Sequence, residues 1–406
     1  MGNIVVGQSG GPTVAINATL AGVIEGALKE GYDTIYGTIN GITGIIDDKV
    51  INLSKVIEEE EDFLEVLKVT PAMYLGSCRY KLPEVSKDNP TYSTLFEQFK
   101  KYDIEAFFYI GGNDSMDTVD KLSRYAKLIG STIKFIGVPK TIDNDLCVTD
   151  HTPGFGSAAK YIATTALEVA HDAYIYNTKS VTILEIMGRD AGWLTAATAL
   201  ARTSYSDAPD FIYLPEVAFD KNTFVSDVKA LLEKKNNVIV AVSEGIRNAE
   251  GEYISASTGK LDNFGHAQLS GAGKTLEYLL KDTLGVKVRS IEVNVLQRAA
   301  AHMASLTDIE ESVSQGKKAA ALAKEGITGA MVTVVRKSNS PYTVEYSYGL
   351  IGEIANEAKE VPREWINAAG NDVTEDMLEY LRPLVIGETK LIFKDGIPYY
   401  VSRNMK

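Results

Sequence analysis

The chain has 406 residues, enough for two or three domains, and its 45% hydrophobic and 23% charged residues fit a packed globular core, excluding disordered and fibrous classes. A net charge of −13 argues against nucleic acid as a partner of the whole protein, while local lysines and arginines still permit small anionic ligands. No apolar run reaches the roughly 20 residues of a membrane span, no signal peptide is read at the start, and Cys78 and Cys147 make no disulfide framework, so a cytoplasmic protein is expected.

Short β-branched runs alternate with longer amphipathic ones. In chain order they predict a strand over 3–7, a helix over 13–31, a strand over 105–110, a helix over 115–130 and a strand over 133–138. A helix over 157–174, strands over 180–186 and 237–242, a helix over 270–282 and a strand over 328–335 follow. The acidic 57-IEEEEDFLEV-66 reads as a solvated helix face, and 289-RSIEVNVLQR-298 as a strand-like run with an arginine at each end. From 340-SPYTVEYSYGL-350 onward, further strands and helices are expected. This alternation predicts an α/β protein of parallel sheets covered by helices on both faces, with a domain boundary near 150–160. Ligands of such sheets sit at the carboxyl ends of the strands. Four polar, glycine-rich clusters fall there: 7-GQSGGPT-13, 111-GGNDS-115, 139-PKTIDND-145 and 187-MGRDAGW-193. They predict one cleft assembled from several loops.

Each cluster has a plain structural reading beside the chemical one. Gly10-Gly11, with a helix expected from Pro12, would present N–H groups to an anion, yet glycine turns after strands are common for their φ freedom alone, and the GxxxxGK[ST] spacing is missing. Asp114 and Ser115 could cap a helix; that leaves Asn113 beside them without a reason. In 139-PKTIDND-145, extended backbone would point Asp143 and Asp145 the same way, as a base and a metal ligand or as two ligands. The competing calcium loop lacks its glycine and distal glutamate, and a structural Asx turn remains open. Arg189 ends a strand, where it can fork onto a carboxylate or phosphate. Glu244 follows another apolar strand, a position from which a hydrogen bond to a hydroxylated substrate is expected. Anion-directed loops with converging carboxylates point to phosphoryl transfer onto a phosphorylated small molecule. His151, His171, His266 and His302 have no metal-ligand spacing.

SGG, 76-GSCR-79, GGNDS, PKTIDND, MGRDAGW, SEG and LQR, in this order over roughly residues 1–335, resemble the 6-phosphofructokinases. The resemblance implies two Rossmann-like three-layer α/β/α domains with the active site in the cleft between them. Residues 1–155 plus about 297–345 would form the donor domain; 156–296 plus about 346–406 would form the sugar-phosphate domain. It implies Asp143 as the general base, with Lys140, Asp114 and Thr141 completing the catalytic set. Thr141, Asp143, Met187, Gly188, Arg189, Glu244, Arg289 and Arg298 would bind fructose 6-phosphate, Arg289 from a neighbouring subunit of a homodimer or homotetramer. Gly10, Gly11, Arg79, Gly112, Ser115 and Lys140 would bind the donor, and Asn113 and Asp145 would hold Mg²⁺.

ATP-using members carry glycine at the positions of Asp114 and Lys140, and pyrophosphate-using members carry this aspartate and lysine. A carboxylate where an α-phosphate would lie repels it and fills its volume. A lysine beside the leaving phosphate neutralises the charge that develops there. Pyrophosphate is therefore the expected donor, with ATP the alternative and a non-catalytic regulatory subunit the alternative of another class. Departures from the family pattern are Asn113 for a magnesium-binding aspartate, Ser180 for an arginine, Val295 for a histidine or tyrosine, and Leu20 and Ile24 where effector-binding arginines would lie. No ADP or phosphoenolpyruvate control is expected.

Overall fold

The computed structural model describes residues 2–254, 271–353 and 358–403. The chain opens with β1 (Asn3–Gln8), α1 (Ile16–Glu30), β2 (Ile35–Thr38), α2 (Ile42–Ile46), β3 (Val50–Asn52), α3 (Leu53–Glu59) and α4 (Phe63–Val69). Then come α5 (Pro90–Lys101), β4 (Ile104–Gly111), α6 (Asn113–Ile129), β5 (Lys134–Pro139) and α7 (Phe155–Tyr174). Next are β6 (Ser180–Ile186), α8 (Trp193–Ala197), β7 (Phe211–Tyr213), α9 (Lys221–Leu232), β8 (Asn237–Ser243), α10 (Ala272–Leu284) and β9 (Lys287–Glu292). The chain continues through α11 (Leu306–Lys324), β10 (Ala330–Asn339), β11 (Tyr342–Leu350) and α12 (Glu375–Leu381), and ends in the short β12 (Phe393–Lys394) and β13 (Ile397–Pro398).

Two separate sheets carry the cleft loops. One runs β11-β10-β5-β4-β1-β2-β3, parallel except at its two edge strands, and the other runs β7-β8-β6-β9, parallel throughout. The central strands β4, β5, β6 and β8 are almost wholly buried, as expected when helices cover both faces of a parallel sheet. Late strands return to the first sheet, because β10 pairs in parallel with β5 at Ala330–Ile136 and Met331–Gly137.

Helices α1 and α11 pack closely because glycines replace side chains at their crossing. A Cβ on Gly22 would lie 2.1 Å from the Val313 carbonyl oxygen, and one on Gly316 would lie 2.4 Å from that of Thr19. Leu20 and Ile24 are fully buried in this core.

Several sequence expectations are corrected here. The helix expected from Pro12 starts at Ile16; the Thr13 hydroxyl accepts the Ile16 N–H at 3.0 Å and holds residues 13–15 in a turn ahead of it. The acidic stretch at 57–66 is two helices, broken where the Glu60 carbonyl accepts the Phe63 N–H. Residues 289–298 are not one strand: β9 ends at Glu292 and residues 294–298 form a 3₁₀ turn. The strand expected over 328–335 continues to Asn339 because β11 pairs with its second half. Of the helix predicted over 270–282, Ser270 lies outside the described residues; the helix runs Ala272–Leu284, with Gly271 left-handed before it.

Candidate active site

The first wall of the cleft comes from the ends of β1, β4 and β5. Gly10 holds φ +78°, and a Cβ there would lie 3.1 Å from the Lys140 ammonium, which donates to the Gly11 carbonyl at 2.6 Å. The glycine pair thus forms a turn over Lys140, several residues ahead of α1, instead of a helix N-terminus. A helix N-terminus does exist one strand away, where Gly112 precedes α6. Asn113 lies exposed there, and Ser115 turns inward and is buried. Asp114 lies in the first turn, where its charge suits the helix dipole, and it pairs with Lys81 at 3.3 Å.

Asp143 and Asp145 do converge, for a different reason from the extended backbone expected. Asn144 between them is left-handed at φ +56° and fully buried. Its amide donates to the Tyr380 hydroxyl at 2.8 Å. The Asp143 N–H donates to the Thr141 hydroxyl at 3.1 Å, and the Asn113 amide reaches Asp145 at 3.5 Å. Thr141 is held in turn by the Thr152 hydroxyl, which donates to its carbonyl at 2.9 Å.

The facing wall comes from β6 and β8, and its SEG motif has a mechanical explanation. The Ser243 hydroxyl donates to the Gly188 carbonyl, and the Glu244 carboxylate accepts the Gly188 N–H at 3.4 Å. A Cβ on Gly245 would sit 1.9 Å from the Arg189 carbonyl oxygen, so glycine is required for the two loops to touch. Met187, Gly188 and Arg189 are thereby held beside Glu244. Gln297 accepts the Met187 N–H at 3.3 Å, which brings the 3₁₀ turn carrying Arg298 to the same place.

Charges of both signs collect across these walls. Burial pushes Lys140 down to about 8, with Arg298 adding to the effect and Asp143 opposing it. Burial pushes Asp143 up, against the pull of Lys140, Arg189, the Thr141 hydroxyl and Arg298. Burial and the Asp143 charge raise Asp145 to about 7, and the same two causes raise Glu244 to about 7. Asp143 is partly exposed by area yet lies in a recess densely walled by protein, and the direction of its shift follows from that recess. The buried Nε atoms of Arg189 and Arg298 have no hydrogen-bond partner. Cations facing one another need an anion; carboxylates facing one another need a cation or a shared proton.

Asp145 and Asn113 fit a small hard cation with oxygen ligands. Among the described residues no three His, Cys, Asp or Glu side chains form a metal cage.

Other expected residues stand elsewhere. Arg289 lies opposite Thr182 in mid-strand, well short of the carboxyl ends, and pairs with Asp172 at 3.3 Å on the surface. It is not brought to this chain's own cluster. Ser180, at the start of β6, donates to Asn237 at 2.7 Å, and Val295 is exposed. Arg79 is exposed, and its charge acts on Arg298.

Sequence reading missed residues that carry no loop motif. Glu216 accepts N–H groups from Gly192 at 2.8 Å and Val361 at 3.0 Å, tying the 187–193 loop to the C-terminal region. Lys359 reaches the back of the Asp143 loop from more than 200 residues away. In 358-AKEVPREW-365 neither spacing nor composition marks it. Gln297 lies inside the LQR motif beside Arg298, where its tie to Met187 has no local signal.

The chain matches the phosphofructokinase family over residues 3–322. It is 42% identical over 404 residues to the pyrophosphate–fructose 6-phosphate 1-phosphotransferase of Xanthomonas campestris, covering 99% of this chain and 96% of that protein. An ATP-dependent 6-phosphofructokinase from Erwinia tasmaniensis is 31% identical and covers 68% of this chain and 81% of its own length. Among solved structures, a pyrophosphate-dependent phosphofructokinase from Nitrosospira multiformis superimposes with TM-score 0.88 at 38% identity, covering 98% of this chain and 95% of that one.

Proposed function

This chain belongs to the phosphofructokinase family, and on that premise we propose that it phosphorylates the 1-hydroxyl of fructose 6-phosphate with pyrophosphate, releasing orthophosphate. It is a phosphotransferase. Exchanging one anhydride for a sugar ester and phosphate dissipates less free energy than ATP cleavage, so the reaction runs in both directions. The observation that carries the reading is Lys140, an ammonium buried under the Gly10-Gly11 turn and within the field of Asp143.

Arg189, Arg298 and Glu244 orient the sugar phosphate, with Met187 and Gly188 lining the site. Asp143 accepts the 1-hydroxyl proton as that oxygen attacks the nearer phosphorus in line, and the bridging P–O bond breaks. Thr141 contacts the transferred group. Gly10, Gly11, Gly112, Ser115 and Arg79 cradle the donor, and Lys140 neutralises the departing phosphate. Asp145 and Asn113 would hold Mg²⁺, which when bound neutralises phosphate oxygens. Asp114 excludes a longer donor by charge and volume. Arg289 points outward from this chain because it serves a neighbouring copy in a homodimer or homotetramer.

The test compares fructose 1,6-bisphosphate formation with pyrophosphate and with ATP, for the native chain and the Asp114→Gly, Lys140→Gly double variant. The native chain should use pyrophosphate alone, and the variant should gain ATP use. A native preference for ATP would refute the donor assignment.

A further inference from the structure

Lys359 lies beyond the residues matched by the family and touches both walls of the cleft from behind. Its N–H donates to the Asp145 carbonyl at 2.8 Å, and its carbonyl accepts the Trp193 indole N–H at 2.7 Å. Its ammonium donates to the Asp150 carbonyl at 2.6 Å and the Thr149 carbonyl at 3.2 Å, and reaches the Asn144 amide oxygen at 3.5 Å. The same ammonium stacks over the Trp193 ring, 5.1 Å from its centroid. Trp193 ends the MGRDAGW loop, and Asn144 is the left-handed residue that separates Asp143 from Asp145.

We propose that Lys359 is a positioning residue that sets the catalytic loop against the sugar-side loop, and that this is what the C-terminal region contributes to phosphoryl transfer. The proposal rests on the reading of Asp143 as the base. Asparagine tolerates the left-handed region better than other non-glycine residues, and the conformation of Asn144 is fixed here by partners at both ends of its side-chain amide. Those partners are Lys359 and Tyr380, whose hydroxyl takes the amide N–H of Asn144 and donates to the Asp150 carbonyl at 2.8 Å. Without the ammonium, Asn144 relaxes and swings Asp143 off the attack line. The sugar-side loop keeps its own ties to Ser243, Glu244 and Glu216, and the Lys359 backbone carbonyl still holds Trp193, so the turnover rate falls and binding does not.

The test uses Lys359→Met, Lys359→Arg and Tyr380→Phe in the full chain, beside Asp143→Asn, with kcat and both KM values measured on material shown to be folded. A displacement on the order of 1 Å predicts a roughly 100-fold lower kcat for Lys359→Met, with both KM values within about threefold of native. Lys359→Arg, which can still donate to the carbonyls, should recover about tenfold of that loss. If Lys359→Met does not fold, Tyr380→Phe decides, because it keeps the buried ring and loses only the hydroxyl; about a tenfold kcat loss at unchanged KM is expected. A folded Lys359→Met with native kcat, a rise in KM alone, or no recovery with arginine overturns the proposal. If Asp143→Asn is inactive in that case, only the role of Lys359 falls. If Asp143→Asn keeps native kcat, the assignment of the base falls and the proposal with it.

Discussion

Replacing Lys140 with methionine should make the protein more stable while disabling it. Lys140 is 3% exposed, and burial moves its ammonium from the ordinary lysine value of 10.5 to about 8. At about 1.36 kcal/mol per pH unit, that displacement corresponds to roughly 3 kcal/mol of cost to the folded state below pH 8. Between pH 8 and 10.5 the unfolded chain binds the proton that the folded chain has lost, so native stability rises across this window as the cost is relieved. Methionine has a similar length and no charge. Part of the gain is offset because Asp143 loses a neighbouring cation. A net stabilisation on the order of 1–3 kcal/mol at pH 7 is expected, shrinking towards zero or reversing at pH 10.5. Titrating groups that do not face Lys140 are common to both proteins and cancel in the difference; Asp143, Asp145 and Arg298 face it and do not. Urea unfolding of both proteins at pH 7 and at pH 10.5 measures this directly. Turnover should drop about 100- to 1,000-fold, as when a preorganised donor to a developing anion is removed. A variant less stable at pH 7, or a stability difference independent of pH, would refute the claim that Lys140 is a strained charge held for the donor.

Three further outcomes are expected. Arg298→Lys replaces a fork by a point charge and should raise the KM for fructose 6-phosphate about tenfold with little change in the KM for pyrophosphate; equal shifts in both would contradict its place on the sugar side. Asn113→Asp adds a carboxylate beside Asp145 and should lower the Mg²⁺ concentration for half-maximal rate severalfold, so an unchanged magnesium titration would remove Asn113 from the ligand set. Gly22→Ala puts a methyl 2.1 Å from a backbone carbonyl and should cost about 1–3 kcal/mol by thermal or urea unfolding, whereas a neutral result would mean that α1 and α11 separate freely.

Local sequence carried much of this protein. Alternating apolar runs located the central strands β4, β5, β6 and β8, because fully buried parallel strands admit few polar residues. Glycine and carboxylate clusters at strand ends marked the cleft, because loops there need φ freedom and polar tips at once. The identities of Asp114 and Lys140 bear on the donor before any coordinates, since charge and volume at a known loop position are properties of the residue itself.

Tertiary structure decided whatever depends on residues far apart in the chain. Asp143 and Asp145 meet through a left-handed Asn144 held by Tyr380 and Lys359, not through an extended run, and no local pattern encodes a partner more than 200 residues away. Gly245 is required by a carbonyl from another loop, and α1 starts three residues after Thr13, whose hydroxyl closes a turn ahead of it, and not at the proline before that turn. Arg289 and Arg298 look alike along the chain. A break after β9 sends one into the cleft and leaves the other on the surface, because a strand fixes the direction of a side chain only as far as its pairing continues.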